Sequence, residues 1–167
     1  TDNRRQRQMC IRDRCSLHMS YGWHPEQVVA NALFADGAAA VVGSAGPPMS
    51  DRDLVLQGSG SIVIPNSADL MHWEIGDRGF SMGLSPLVPA AVGAALLPWL
   101  QDWLQNRAVD LSEIRSWAVH PGGPKILSTC AEALGLDPRL LDDSRVVLQD
   151  HGNMSSATIL FILERLR

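Results

Sequence analysis

The C-terminal segment ATILFILERLR, residues 157–167, places the strongest constraint on the fold of this chain. As a helix it is apolar nearly all round, so most of its faces have to be covered by other elements. A second apolar helical pattern runs from Leu87 to Leu104. A chain of 167 residues, 46% of them hydrophobic, is long enough to bury both helices in one domain. We therefore expect helices packed in layers against other elements.

Short apolar runs predict the strands of those layers. One buried strand is predicted to begin near Ala38, two more to lie within residues 54–65 on either side of a glycine bend, and a fourth to cover residues 114–119. Residues 66–79 are typical of a loop or short hairpin, and residues 144–149 of a strand or extended link. Helical patterns between them begin at Pro25, at Pro86, and at Gly123 or Pro124. This alternation predicts a layered α/β domain.

The bulk composition excludes several classes of protein. No apolar run reaches the roughly 18 to 20 residues that a membrane-spanning helix needs. Because the first residues show no charged segment followed by an apolar one, we expect no secretory signal. Its three cysteines contain no CxxC pair, which argues against a disulfide scaffold and a zinc cluster. We expect a cytoplasmic protein without a bound metal.

Basic residues are concentrated at the start of the chain. Residues 1–14 hold five arginines and two aspartates, whereas the remainder holds nine basic and sixteen acidic residues, for a net charge of −7. A basic arm can contact nucleic acid, but no aromatic residues are interleaved here and the body is acidic. We expect residues 1–14 to be a non-native or disordered segment, residues 15–167 to form the domain, and nucleic acid not to be a partner.

The most informative residue is His120, in the stretch WAVHPGGPKIL. We call residues 119–124 the histidine corner. A strand followed by Gly-Gly-Pro and a helix places the imidazole at the carboxyl end of the strand, beside free backbone N–H groups at a helix start. Ligands bind at such positions in α/β folds, although a single histidine there is more often structural.

A second polar turn, HGNMSS, precedes the C-terminal helix, and we call residues 151–156 the asparagine corner. Asn153 could simply cap that helix. If its amide and the His120 imidazole point to one spot, their N–H groups form an oxyanion hole. A nearby cysteine would complete a Cys–His–Asn set for acyl transfer.

Four stretches of the chain resemble the type III polyketide synthases, the chalcone synthase-like enzymes. His120 and Asn153, 33 positions apart, lie in the two stretches that match the family's catalytic segments. The resemblance covers about residues 15–167. The four stretches are VHPGGPKIL (119–127), HGNMSSATILFIL (151–163), LFADGAAAVVG (33–43) and GDRGFSMGLSPLVP (76–89).

The resemblance implies the C-terminal half of a thiolase-like fold, with a mixed sheet and buried helices, and a homodimer in the intact enzyme. It implies decarboxylative Claisen condensation of an acyl-CoA starter with malonyl-CoA, giving a pyrone, resorcinol or chalcone-like polyketide. Coenzyme A thioesters are then substrates, and no resident cofactor is expected.

The resemblance also assigns roles to individual residues. His120 and Asn153 match the catalytic pair, which stabilises the enolate and the later oxyanion. The matching pocket residues are Phe34 as gatekeeper, Met82 where plant members often have a second aromatic gate, and Ser155 in the wall. The residues matching the coenzyme A loop are Gly122, Gly123 and Lys125.

The family's nucleophilic cysteine has no counterpart in this chain. It lies roughly 50 residues before the phenylalanine matched by Phe34, whereas Cys15 lies only 19 before it and matches a non-catalytic cysteine after a strand. Cys10 falls in the segment 1–14, and Cys130 lies on the apolar side of a predicted helix. We expect a fragment, cut at both ends, that cannot acylate itself.

Two other functions stay open at this point. A ketoacyl synthase III-type enzyme of fatty-acid synthesis also uses Cys, His and Asn, but it lacks HPGGP and usually has threonine where Met154 stands. A non-catalytic remnant that binds a partner or an acyl chain is favoured by the missing cysteine.

Overall fold

The computed structural model describes residues 6–77 and 79–167. Five helices and four strands lie in these ranges, joined by loops and short 3₁₀ turns. The strands are β1 (Gln6–Arg14), β2 (Asp36–Ser44), β3 (Met71–Gly76) and β4 (Gly79–Leu84). The helices are α1 (Pro25–Leu33), α2 (Val88–Gln105), α3 (Pro124–Leu134), α4 (Asp142–His151) and α5 (Ser156–Leu166).

Within the segment 1–14, which was expected to be non-native or disordered, residues 6–14 form the strand β1, while residues 1–5 lie outside the described residues. β1 pairs antiparallel with β2 along its whole length, and Ile11 packs against the core around α5. The Asp13 carboxylate accepts hydrogen bonds from the backbone N–H and the Oγ–H of Ser156, at 2.8 and 2.6 Å. These long-range partners order a segment that has little apolar pattern of its own.

The polar segment 66–79 ends in a hairpin, one of the two forms predicted for it. β3 and β4 pair antiparallel, with Trp73 opposite Met82 and His72 opposite Gly83. The hairpin packs against α1 and against the 3₁₀ turn at Cys15–His18.

The core forms around α5, α3 and α2. The first cluster joins α5 to α4 through buried Val147, Met154, Ala157 and Ile162. The second packs α2 against the end of α3 through Leu100, Leu104 and Leu134. The third lies under α3 at Leu127, Ala131 and Leu141. One face of α5 is fully buried, while its remaining apolar side chains are half-buried. The prediction that most faces of this helix are covered is therefore only partly met.

Four predicted segments differ from the structure: the two strands within residues 54–65, the strand at 114–119, and the strand or extended link at 144–149. Residues 54–64 and 114–120 contain no strand, because an extended segment becomes a strand only when its backbone is paired with a neighbour. Residues 144–149 belong to α4. Ser144 and Val147, three residues apart, bury the same face of α4, and Asp142 and Asp143 favour a helix start by interacting with its dipole.

Candidate active site

The histidine corner connects an extended segment to α3. Val119 N–H donates to Oγ of the fully buried Ser144 at 3.2 Å, which ties the segment to α4. Gly122 N–H then donates to the His120 carbonyl at 3.0 Å and closes a tight turn before α3 begins at Pro124. His120 therefore precedes a helix N-terminus, as the sequence predicts.

The environment of His120 favours its neutral form. The residue is exposed overall, but partial desolvation of the ring lowers the pKa of His120 below its usual 6.5. A neutral imidazole carries one N–H donor and one acceptor nitrogen. The ring can therefore donate to a developing negative oxygen near neutral pH.

The asparagine corner holds its amide in one orientation. Asn153 is only 3% exposed, and its Oδ1 accepts a hydrogen bond from the Ser155 N–H at 2.9 Å. Its NH₂ group, on the opposite side of the amide, donates to no atom among residues 6–77 and 79–167. Ser155 itself has a positive φ of 56°, and such strain at a polar turn accompanies functional sites.

Backbone hydrogen bonds join the asparagine corner to the end of α1. Asn153 N–H donates to the Leu33 carbonyl at 2.8 Å, and the Asn153 carbonyl accepts from Ala35 N–H at 2.9 Å. They form an isolated parallel bridge between Phe34 and Asn153. The residue matching the gatekeeper is therefore held directly beside the residue matching the catalytic asparagine.

Both corners meet at Leu33. A β-carbon added at Gly123 of the histidine corner would lie 3.7 Å from the Leu33 side chain, while the asparagine corner bonds the Leu33 carbonyl. The two corners are thus neighbours in space. That the donor groups of His120 and Asn153 point to one spot stays a prediction.

One cavity brings together the three residues predicted for the pocket. It has a volume of about 250 Å³, and Phe34, Met82 and Ser155 all line it. His120 and Asn153 are not among its lining residues, and of the two corners only the asparagine corner reaches the cavity, through Ser155. Gly122 and Gly123 are half-buried and Lys125 is exposed, all three at the start of α3 and outside this cavity.

Sequence reasoning missed the other residues that line the cavity, among them Cys15, His18 and Trp73. Trp73 is 48% exposed and fits the polar loop expected there, but the hairpin pairs it with Met82 and turns it toward the cavity. The register of residues 71–84 could have indicated this contact. No local signal points to His18, because its position depends on the 3₁₀ turn after β1.

The cysteines differ in their surroundings. Burial raises the pKa of Cys15, and the nearby Asp13 and Asp36 carboxylates raise it further. Burial also raises the pKa of Cys130, which lies in the core side of α3. Cys10 is exposed on β1. A raised pKa disfavours the thiolate that acyl transfer requires.

The described part of the chain contains no group of three or more His, Cys, Asp or Glu side chains placed to hold a metal ion. Within the same residues, every helix is too short or too polar to cross a lipid bilayer.

Curated relatives match most of this chain. A 1,3,6,8-tetrahydroxynaphthalene synthase from Streptomyces peucetius subsp. caesius is 37% identical over 153 residues, covering 90% of the chain and 40% of the relative. The alpha-pyrone synthesis polyketide synthase-like Pks18 of Mycobacterium tuberculosis is 31% identical over 159 residues, covering 93% and 40%. A probable polyketide synthase 1 from Dictyostelium discoideum is 30% identical over 159 residues, covering 92% and 5%. The chain thus spans about two fifths, or much less, of the length of these relatives.

Solved structures share the fold. PKS-I from the brown alga Ectocarpus siliculosus superposes with a TM-score of 0.92 at 24% identity, covering 99% of this chain and 44% of that one. The 1,3,6,8-tetrahydroxynaphthalene synthase of Streptomyces coelicolor A3(2), a bacterial type III polyketide synthase, gives 0.88 at 30% identity, covering 96% and 45%. The predicted α/β, thiolase-like fold of a type III polyketide synthase is confirmed.

Residues 55–167, which include both corners and α2 to α5, match the family described as chalcone and stilbene synthases, C-terminal domain. The expected family is therefore confirmed, and the chain belongs to the chalcone and stilbene synthases, of which it carries the C-terminal domain.

Proposed function

We propose that this chain supplies the enolate-stabilising part of an acyltransferase that condenses an acyl-CoA starter with malonyl-CoA. The observation that carries the proposal is the Asn153 amide, whose oxygen accepts from Ser155 N–H and whose NH₂ donates to none of the residues that the structure describes, while its backbone pairs with Phe34. Relatives that make tetrahydroxynaphthalene or alpha-pyrones support condensation chemistry of this kind.

The proposed chemistry requires N–H donors where negative charge develops. When the malonyl thioester loses carbon dioxide, the electron pair of the broken C–C bond moves into an enolate. The N–H groups of His120 and Asn153 stabilise its oxygen. The enolate carbon then attacks the acyl thioester held on a cysteine, and the thiolate leaves. A neutral His120, favoured by its lowered pKa, is in the donor form that this step uses.

The substrates are coenzyme A thioesters, with no resident cofactor. We propose that Gly122, Gly123 and Lys125 contact coenzyme A. The two glycines have no side chain, so the protein backbone can approach the ligand closely, and the exposed lysine can bind a phosphate. The intact enzyme would be a cytoplasmic homodimer, and its product a pyrone, resorcinol or chalcone-like polyketide.

A non-catalytic remnant remains the second candidate, favoured by the raised pKa values of Cys15 and Cys130. Incubating the chain with a radiolabelled acyl-CoA starter, followed by a denaturing gel, tests its self-acylation. We expect no retained label. Label on the chain would overturn the expected lack of a nucleophile.

The proposed chemistry is tested by measuring malonyl-CoA decarboxylation in a longer protein that joins this chain to a region carrying the nucleophilic cysteine. We expect Asn153→Asp and His120→Gln each to lower the rate about 100- to 1000-fold. The matched controls are Asn106→Asp at the end of α2 and His24→Gln before α1, both outside the two corners. Near-normal rates in Asn153→Asp would overturn the proposal.

A further inference from the structure

A second cavity adjoins the one lined by Phe34, Met82 and Ser155. It has a volume of about 350 Å³ and shares His18, Met19 and Gln27 with the first cavity. The first cavity alone is smaller than the roughly 300 to 1000 Å³ of common ligand pockets, whereas both together reach about 600 Å³. An acyl chain too long for the first cavity would therefore extend into the second, past the boundary formed by the shared residues.

His18 stands at that boundary with its ring held in place. The ring centroid lies 5.0 Å from that of Trp73 in a tilted contact and 5.3 Å from that of Phe80 in an edge-on contact. Trp73 belongs to the first cavity and Phe80 to the second. Aromatic contacts of this geometry fix a ring plane. The imidazole is thus a rigid group presented to both cavities.

Several polar side chains around the two cavities are engaged in hydrogen bonds within the described residues, but the nitrogen atoms of His18 are not. Asp13 accepts from Ser156, and Ser16 donates to Asp36. Gln27 donates to Asn31, whose amide in turn donates to the Ser20 carbonyl. Among the residues that the structure describes, His18 has no side-chain hydrogen bond, so its nitrogens can bond a ligand.

We propose that His18 is a specificity-determining residue that hydrogen-bonds an oxygen of the bound acyl chain. The second cavity is lined partly by polar side chains, including Ser20, Gln27 and Ser81, which suit an oxygenated chain better than a bare alkyl tail. The two cavities would then select chains that carry keto groups. This inference rests on the proposed function, because it assumes that the cavity holds an acyl chain.

The test compares binding of matched probes to the chain itself by NMR titration. The probes are N-acetylcysteamine thioesters of octanoic, 3-oxooctanoic and 5-oxooctanoic acid, which differ only in their keto group. We expect at least one oxo probe to bind the unmodified chain about three- to tenfold more tightly than the octanoyl probe. In His18→Phe, which keeps an aromatic ring but removes both nitrogens, this preference disappears while octanoyl binding changes less than about twofold.

Two further variants separate hydrogen bonding from packing. His18→Gln keeps a donor and an acceptor, and it should retain most of the preference. His24→Phe, an exposed histidine that lines neither cavity, should retain all of it. The proposal is overturned if the unmodified chain shows no preference, or if His18→Phe keeps it. Because no turnover is needed, an intact preference with no malonyl-CoA decarboxylation in the longer protein would refute the proposed function alone.

Discussion

The two corners place their polar residues by opposite means. The asparagine corner buries Asn153 and bonds its side chain to Ser155 and its backbone to Leu33 and Ala35. The histidine corner leaves His120 exposed, and its turn is closed by the bond from Gly122 N–H to the His120 carbonyl. One corner thus holds a neutral amide in a single orientation, whereas the other holds a titratable ring that water can reach.

This difference indicates a division of labour. An amide does not titrate, so it takes no part in proton transfer. Holding it rigidly therefore gives the site a fixed N–H donor and removes no other function of the side chain. An imidazole acts as a donor or a base according to its protonation, so contact with solvent keeps it responsive. We therefore expect changes at the asparagine corner to affect folding strongly and changes at the histidine corner to affect it weakly.

The largest expected effect belongs to Gly152→Ala. Gly152 has φ 72° and ψ −170°, a region open essentially to glycine alone. A β-carbon there would lie 3.0 Å from the Ala35 Cβ and 3.2 Å from the Leu33 carbonyl oxygen. We expect a loss of about 3 kcal/mol in the free energy of unfolding, measured by urea denaturation.

Gly135→Ala is the matched control for that change. Gly135 also has a positive φ, 64°, but nothing lies within 4 Å of an added β-carbon, and its left-handed conformation is one that alanine can adopt. The control should lose only about 1 kcal/mol. Equal losses at the two glycines would show that the asparagine corner is not tightly packed against α1.

The second effect compares the two polar side chains directly. Asn153→Ala removes the acceptor for Ser155 N–H and leaves a cavity at a buried position, so we expect a loss of about 2 kcal/mol. His120→Ala, at an exposed position, should change the free energy of unfolding by less than about 0.5 kcal/mol. Denaturation of both variants in urea measures the difference. A larger loss in His120→Ala would contradict the proposed division.

Local signals in the sequence predicted the elements that depend on local chemistry. Pro25 and Pro124 mark the starts of α1 and α3 because proline at a first helical turn misses no hydrogen bond. Gly135 marks the end of α3 because its left-handed conformation favours glycine. The short apolar run near Ala38 predicted a buried strand there, and β2 forms, but its residues are exposed or half-buried, so the predicted burial is wrong.

Elements that depend on distant partners were not predictable in the same way. β1 exists through pairing with β2 and through the bonds from Ser156 to Asp13, which lie far along the chain. The places of His18 and Trp73 in the cavity follow from the hairpin register and a 3₁₀ turn. The pocket residues Phe34, Met82 and Ser155 were identified only through the family resemblance, and the structure places them in one cavity.

The third effect is a gain. Ser155→Gly relieves the positive φ of 56° while keeping the backbone N–H that bonds Asn153. Relief of about 1 to 3 kcal/mol of strain is offset partly by the flexibility of glycine in the unfolded chain, which leaves a gain of about 1 kcal/mol. The thermal midpoint should rise by a few degrees. Ala108→Gly, at φ 53° in the turn after α2, should show a similar gain outside the site.

The smallest effect is the pH dependence that His120 adds. Desolvation lowers the pKa of His120 in the folded chain below 6.5, so below that pH the unfolded chain binds more protons than the folded chain. Stability should therefore fall as the pH drops through about 6.5, and it should be unaffected well above it. Because the residue is exposed, the extra loss relative to His120→Gln between pH 8 and pH 5 should stay near 0.5 kcal/mol or less.

The sign of that difference is more informative than its size. A steeper loss in the unmodified chain means that the ring is poorly solvated when charged, as a neutral N–H donor beside an anionic intermediate requires. If the unmodified chain instead gains stability on acidification relative to His120→Gln, a carboxylate must stabilise the imidazolium, and the ring would be charged before substrate arrives. Urea denaturation of both proteins at several pH values, with identical ionic strength, distinguishes a steeper loss from a gain of stability on acidification. Only the steeper loss agrees with the contrast between a fixed amide at Asn153 and a titratable imidazole at His120.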